Sequence, residues 1–150
     1  MSHQHAAATL QSGKDWAGRG MWKNALICFE YALTQLLRAD ARLSDILDAE
    51  VLLARSHYEL KDFARAEKHI TYAIDFENEL HGYHTRDGNE FRLFLVLTLL
   101  GQQQHAEAER MAKHAHRVAM RMRPLSREHV IRCFATLQLT RAAARGEVLS

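Results

Sequence analysis

The stretch Lys61–Ile74, KDFARAEKHITYAI, shows the pattern on which the whole chain is built. It contains a short polar turn, an aromatic residue and then a helix-forming segment with alanine at fixed places. A matching stretch lies upstream at Gly20–Leu33, GMWKNALICFEYAL, and a fainter one lies downstream at Gln103–Ala115, QQHAEAERMAKHA. An internal repeat of this length indicates stacked copies of one structural unit, each too small to bury its own apolar face.

The composition favours a single all-helical domain. The chain has 150 residues, of which 47% are hydrophobic and 25% charged, with one proline and seven glycines. This is enough apolar material for one core, and the shortage of helix breakers favours helices. Apolar residues three and four apart predict seven helices, with Asp87 and Glu90 as a capping box before the fifth and Ser126 as the cap of the seventh. The predicted helices span residues 4–19, 22–39, 43–60, 63–80, 89–102, 105–122 and 126–146.

Two of these helices have unusual compositions. Gly13 falls inside the first helix, where glycine costs about 1 kcal/mol relative to alanine, so we expect close packing against a neighbouring helix there. The fifth helix is apolar nearly all round, since only Arg92 and Thr98 are polar between Phe91 and Leu100. A helix of this kind has to be covered on all sides, either by the seventh helix or by a second subunit or partner.

The charge is unevenly distributed along the chain. The formal net charge of +2 does not indicate a dedicated nucleic-acid binder. Residues 1–100 hold 11 basic and 14 acidic side chains, whereas residues 101–150 hold nine and four. In the basic part, Arg110, Lys113, Arg117 and Arg121 lie three or four apart and form one stripe on a helix. The stripe could bind an acidic ligand or nucleic acid, and the alternative is an ordinary solvated helix face.

The cysteine content and the lack of a long apolar segment indicate in which cellular compartment the protein is expected. Cys28 and Cys133 are too few for a disulfide framework, which favours a reducing, cytoplasmic environment. No apolar run approaches the roughly 20 residues that a membrane span needs. The first residues lack the charged and apolar regions of a signal peptide. We therefore expect a cytoplasmic protein without a membrane partner.

The motifs that carry chemistry in enzymes are missing. The sequence has no glycine-rich phosphate loop and no G-x-S-x-G elbow. His81 and His84, like His114 and His116, form pairs without a third ligand nearby, so neither pair predicts a metal site. We expect no enzyme, no metal and no cofactor, although a catalytic site assembled from distant residues stays open.

The repeated residues resemble a known family. Gly20, Trp22, Ala25, Phe29 and Ala32 are similar in type and spacing to the second helix of a tetratricopeptide repeat. Further residues in all three copies match the family pattern in type and position. They are Gly13 and Trp16 in the first copy, Leu53, Ala54, Tyr58, Phe63, Ala66, Ile70 and Ala73 in the second, and Leu95, Val96, His105, Ala108 and Ala115 in a degenerate third.

The spacing of the copies identifies a variant of the family. The signature alanines stand at 25, 66 and 108, so the steps are 41 and 42 residues, against about 34 in the common repeat. This longer step resembles the long-period repeats of kinesin light chain. The resemblance implies an all-α, right-handed superhelical array of antiparallel helix hairpins in one domain, residues 1–150. It places three repeats at residues 6–40, 43–80 and 89–122 and a capping helix at 126–145.

The resemblance also implies a function. Members of this family bind peptides or protein segments in a concave groove lined by the first helix of each repeat. In this chain the groove would be lined by Lys14, Ala17, Arg55, Tyr58, Leu93, Leu97 and Leu100. The implied function is a non-catalytic adaptor or scaffold, unless these positions are ordinary core and surface residues.

The sequence also bears on binding to heat-shock proteins and on self-assembly. Co-chaperone members grip the terminal carboxylate of heat-shock proteins with Lys, Asn and Arg side chains. The matching positions here hold Leu10, Lys14, Leu52, Glu90 and Phe94, so we expect no such clamp. The other function class is a self-assembling structural subunit that forms a homo-oligomer through the fifth and seventh helices.

Overall fold

The fold is all-α, as the sequence predicts. The computed structural model describes the backbone of residues 2–147 and the side chains of residues 4–147. Within that range seven helices follow one another without a strand. They are α1 (Ser2–Gly18), α2 (Trp22–Arg38), α3 (Leu43–Glu59), α4 (Phe63–His81), α5 (Arg86–Gly101), α6 (His105–Arg121) and α7 (Arg127–Ala144).

The helices form two compact units. Unit 1 ends at Phe76 and unit 2 begins at Glu77, so the boundary falls inside α4. In unit 1, α1 packs against α2 and α2 packs against α3. In unit 2, α5 packs against α6, and α7 packs against both. Within each unit, the short turns make the neighbouring helices antiparallel.

The turns inside the three hairpins have the same backbone geometry. Gly20, Lys61 and Gln103 each adopt a positive φ, of +75°, +64° and +60°. Each donates its N–H to the carbonyl three residues back, at 2.9, 3.0 and 3.0 Å. A left-handed residue after the last helical turn is a common way to end a helix, because it satisfies the free carbonyls there. These three residues are 41 and 42 positions apart, the same steps as the signature alanines.

The second helices of the hairpins bury equivalent positions. Ala25, Ala66 and Ala108 are fully buried, and each donates its N–H to the residue four positions earlier. The prediction that these alanines are equivalent is confirmed. Each helix buries the same four places, which are 25, 29, 32 and 36 in α2, 66, 70, 73 and 77 in α4, and 108, 112, 115 and 119 in α6.

The start of α5 differs from the prediction. The helix begins at Arg86, and its cap is Thr85, whose Oγ1 accepts a hydrogen bond from the N–H of Gly88 at 3.0 Å. Thr85 also donates its hydroxyl to Oε2 of the buried Glu77 at 2.7 Å, which holds the cap in place. Asp87 therefore lies in the first turn and the expected capping box is wrong. Ser126 does cap α7, since it accepts from the N–H of His129 at 3.3 Å.

The apolar α5 is covered within its own unit. Its neighbours α6 and α7 both pack against it, which is the first of the two expected arrangements. Leu93 packs with Ala115, Ala119 and Cys133 in the core of unit 2. The two polar residues of the stretch, Arg92 and Thr98, are buried as well. Leu97 is the one large apolar side chain of the described α5 that is clearly exposed, at 36%.

Gly13 permits close contact between α1 and α2. A Cβ atom at this position would lie 2.7 Å from Cδ1 of Phe29 and 3.0 Å from Cβ of Cys28. Phe29 is completely buried, so its ring has little room to move away. The expectation of close packing at Gly13 is confirmed.

This contact predicts the effect of a single methyl group. We expect Gly13→Ala to lower the free energy of unfolding by about 1–3 kcal/mol, because overpacking outweighs the better helix propensity of alanine. Urea denaturation followed by circular dichroism measures the change. Gly18→Ala is the matched control, since nothing lies within 4 Å of its added Cβ. Equal stability of the two variants would contradict the packing argument.

Candidate binding surfaces

The groove residues predicted for unit 1 lie on α1 and α3. Burial raises the pKa of Asp48 on α3. The exposed Lys14 is close enough to oppose this in part, and Asp45 raises the pKa further. Ala17 of α1 and Leu52 of α3 are half-buried in one apolar cluster. Along α3, Asp48, Leu52 and Arg55 recur at spacings of three and four, so they share one face. This surface, which we call the α1–α3 face, has two cations and a carboxylate around an apolar strip.

Arg55 is held in a defined position on this face. Its Nε donates to Oε1 of Glu59 at 3.0 Å, and its guanidinium lies 5.5 Å from the ring centroid of Trp22. The side chain remains more than half exposed. A cation fixed by a carboxylate and an aromatic ring loses less entropy on binding a ligand. Tyr58 contacts Phe63, with ring centroids 5.3 Å apart.

The leucines predicted for the same groove belong to unit 2. Leu93 is only 6% exposed and packs in the core, so it is not available to a ligand, and its assignment to the groove is corrected here. Its position faces α6 and α7, and the sequence pattern of an apolar helix could not distinguish this face from the outer one. Leu97 and Leu100 keep part of their area exposed. Their role in binding stays a prediction.

The predicted basic stripe on α6 is divided into two parts. Arg110 lies 3.6 Å from Glu107, and Lys113 lies 3.7 Å from Glu109. Arg117 and Arg121 form no ion pair with any described side chain. The first half of the stripe is therefore largely neutralised by its own helix, and the unpaired charge lies towards the C-terminal end of α6.

Unit 1 contains a buried pair of histidines that sequence reasoning did not single out. The rings of His57 and His69 stack in parallel planes with centroids 5.3 Å apart. Nδ1 of His69 lies 2.6 Å from Oε2 of the buried Glu50, so α3 and α4 are joined by a polar contact. Burial lowers the pKa of His57, the charge on His69 lowers it further, and Asp62 opposes them.

Unit 2 contains a buried polar network across its three helices. The side-chain amide of Asn89 on α5 donates to the carbonyl of Ala115 on α6 and to Nε2 of His129 on α7, both at 2.9 Å. Since Nε2 accepts this bond, the neutral ring carries its proton on Nδ1. That atom lies 3.1 Å from Oε1 of Glu90, but its orientation is too poor for a hydrogen bond. Burial lowers the pKa of His129, and the charge of Glu90 partly opposes this.

The thiol in this network is not set up for catalysis. Sγ of Cys133 lies 3.8 Å from Nε2 of His129, an arrangement that superficially suits a nucleophile and its base. Burial, however, raises the pKa of Cys133 to about 11, and the side chain is completely buried. A nucleophilic cysteine needs a lowered pKa and access to substrate. This cluster therefore joins helices and does not attack a substrate in this conformation.

Arg92 is a buried cation in the same unit. Its Nη1 donates to Oδ1 of Asn89 at 3.3 Å, and its Nη2 donates to the carbonyl of Tyr83 at 2.6 Å. No carboxylate among the described side chains forms an ion pair with it. Burial lowers the pKa of the guanidinium, yet arginine remains charged in proteins. Its positive charge is therefore not cancelled within unit 2.

The sequence held only part of the signal for these buried groups. Arg92 stood out as a polar residue in an apolar helix, and His129 and Cys133 are four apart on one helix face. Asn89 and His129 are 40 residues apart, and no local spacing connects them.

The described residues contain neither a metal-binding cluster nor a membrane-spanning helix. No group of three or more His, Cys, Asp or Glu side chains within residues 4–147 is arranged to hold a metal ion. No helix in the described range is both long enough and apolar enough to cross a bilayer.

The buried histidines predict a loss of stability in mild acid. Burial lowers the pKa of His57, His114 and His129, so below their ordinary pKa of 6.5 the unfolded chain takes up protons that the folded chain does not. The free energy of unfolding should therefore fall as the pH decreases from 7.5 to 5. Urea denaturation at several pH values measures this. His129→Gln, which keeps an acceptor for Asn89, should flatten the curve more than the exposed control His5→Gln, and equal slopes would contradict the assignment.

Comparison with known proteins bears on the fold. No family model and no curated protein matches the sequence. Among solved structures, BtubC (BKLC) from P. vanneervenii matches 97% of this chain with a TM-score of 0.75 and 14% sequence identity. The match covers 66% of BtubC, so this chain spans just under two thirds of that protein's length. BtubC is a helical repeat protein of the tetratricopeptide type, and the likeness at this identity concerns the fold alone. The chain has a tetratricopeptide-like helical repeat fold.

Proposed function

We propose that this chain is a non-catalytic protein-interaction module that binds a peptide or protein segment on the α1–α3 face. The observation that carries the proposal is Arg55, an exposed cation held between Glu59 and Trp22 on the same side as Lys14. The helical repeat fold supports a scaffold role, because stacked hairpins present extended surfaces rather than closed pockets. The ligand that this face fits is a segment with acidic side chains beside a small apolar residue.

The repeat steps support a finer assignment within this proposal. The 41- and 42-residue steps recur in the backbone turns at Gly20, Lys61 and Gln103, which favours the long-period, kinesin-light-chain-like variant. Cys28 and Cys133 form no disulfide in the described structure, which is compatible with a reducing, cytoplasmic compartment.

The α1–α3 face can be tested with peptides from a random display library that are selected for binding to the full chain. We expect the double variant Lys14→Glu/Arg55→Glu to bind the selected peptides about tenfold or more weakly, because two attractive charges become repulsive. Isothermal titration calorimetry measures the affinity, and circular dichroism checks that the variant folds. Arg38→Glu/Lys68→Glu is the matched control, since both residues are exposed on second helices. Equal weakening by both pairs, or no effect of the first, would overturn the proposed site.

A second candidate function is self-assembly through α7. Ile131 and Phe134 are 66% and 47% exposed, and they lie three apart on one helix face. Phe134 also contacts His116, with ring centroids 5.8 Å apart, so the apolar surface extends towards α6.

Light scattering over a concentration series tests this second function. If α7 mediates assembly, the chain should reach twice its monomer mass, and Ile131→Glu should keep it monomeric, because a buried unpaired charge is strongly unfavourable at an interface. Ile27→Glu provides the control, since Ile27 is 67% exposed on α2. A native chain that stays monomeric at all concentrations would remove the candidate.

A further inference from the structure

The unpaired positive charge of unit 2 is concentrated around the turn between α6 and α7. Most arginines elsewhere in the unit have a carboxylate partner, as Arg132 has in Glu90 at 2.6 Å and Arg141 has in Glu109 at 3.2 Å. Apart from the buried Arg92, the arginines of unit 2 that form no ion pair with a described side chain lie in one region. This region comprises the C-terminal half of α6, the turn that follows it, and the first residues of α5 and α7. These arginines are Arg86, Arg117, Arg121, Arg123 and Arg127.

A cleft lies in the middle of this region. The α6–α7 turn and the start of α5 border an open cleft of about 370 Å³, lined on its polar side by His84, Arg86, Arg123 and Ser126. No acidic side chain lines it in the described chain. Met122 and Leu125 add an apolar wall. Two arginines from different elements therefore border one space of a size suited to a small organic anion.

One of these arginines is already positioned. Nη1 of Arg123 donates to the carbonyls of Met120 and Met122, at 3.0 and 2.8 Å. The described side chains provide no partner for its other nitrogens, which remain able to donate to a ligand. An arginine that is held at one nitrogen loses less conformational entropy when the others bind an anion.

Other groups around the cleft add positive potential. The caps Thr85 and Ser126 place the N-termini of α5 and α7 beside it, where the helix dipoles favour an anion. The buried Arg92 donates to the carbonyl of Tyr83, the residue before His84. Burial lowers the pKa of His114, and the nearby charges of Arg92, Arg117 and His84 lower it further.

Nearby carboxylates weaken the potential without lining the cleft. The buried Glu77 accepts the hydroxyl of Thr85 at 2.7 Å, beside the N-terminus of α5. Asp87 and Glu128 lie in the first turns of α5 and α7, where they interact favourably with the helix dipoles. Neither lines the cleft, and neither forms an ion pair with a described arginine.

We propose that this cleft binds a phosphate monoester. A phosphate dianion presents three acceptor oxygens, which match two guanidinium groups approaching from separate elements, whereas a carboxylate can satisfy only one such group in full. The apolar wall then contacts the organic part that carries the phosphate. The site lies in unit 2 and does not depend on peptide binding at the α1–α3 face, so each proposal can fail without the other.

Titrations followed by ¹H–¹⁵N NMR test the site on the full chain. The probes are an acetylated, amidated Ala-phosphoserine-Ala tripeptide, the same tripeptide with serine or aspartate at the centre, and glucose 6-phosphate. We expect the phosphotripeptide to shift the amides of Arg86 and Arg123 and to bind at least tenfold more tightly than the aspartate tripeptide. Equal binding of glucose 6-phosphate would identify the phosphate group as the determinant, and weaker binding would identify a phosphorylated protein as the source.

Charge-removing variants distinguish a site from a general attraction. The double variant Arg86→Gln/Arg123→Gln should bind the phosphotripeptide about tenfold or more weakly. The single variant Arg86→Gln should also bind it more weakly, and it tests the site if the turn needs Arg123 for folding. Arg110→Gln is the control, because this arginine is on α6 and paired with Glu107. Three results would overturn the proposal: no shifts at millimolar phosphotripeptide, equal affinity for the aspartate tripeptide, or the same loss in Arg110→Gln. Tight single-stranded DNA binding that depends equally on Arg110 would also overturn it, in favour of an extended phosphate-backbone surface.

Discussion

The close approach of helices at three alanines is the constraint on which the fold depends. Ala25, Ala66 and Ala108 are completely buried one turn into the second helix of each hairpin. A larger side chain there would separate the helices and leave voids on both sides, because protein interiors are packed almost without gaps. Gly13 is the extreme case, since even a methyl group would collide with Phe29. Small residues at the crossings are therefore what allow each hairpin to close.

The third hairpin meets this constraint in a different way from the first. Where α2 buries Phe29 and Leu36, α6 buries Ala112 and Ala119. The missing volume is supplied from α5 and α7, whose side chains reach α6 and include Leu93 and the polar Asn89. A buried polar network favours one arrangement of helices over its alternatives, because another register would break the bonds that Asn89 makes to α6 and α7. This explains why the third copy has the weakest sequence pattern and yet forms the same turn.

Surface chemistry, and not the fold, distinguishes what the chain can bind. A helical repeat array is compatible with many ligands, and likeness to a solved structure at 14% identity does not select among them. In unit 2 the selection depends on which charges are left without partners. On α6 the first two members of the basic stripe pair with Glu107 and Glu109, while the arginines beyond them do not. Unpaired cations can bind an anion without first breaking an ion pair.

The sequence alone determined the seven helices, the 41- and 42-residue steps and the cap at Ser126. These follow from local physics, since periodicity, turn residues and caps act over a few positions. Only the tertiary structure decided which side of the uniformly apolar α5 is buried, and so that Leu93 belongs to the core. The hydrogen bond between Asn89 and His129 could be seen only in the tertiary structure. The same holds for the cap of α5 at Thr85, which also donates a hydrogen bond to Glu77. Such choices depend on contacts between distant segments, and no short-range pattern encodes them.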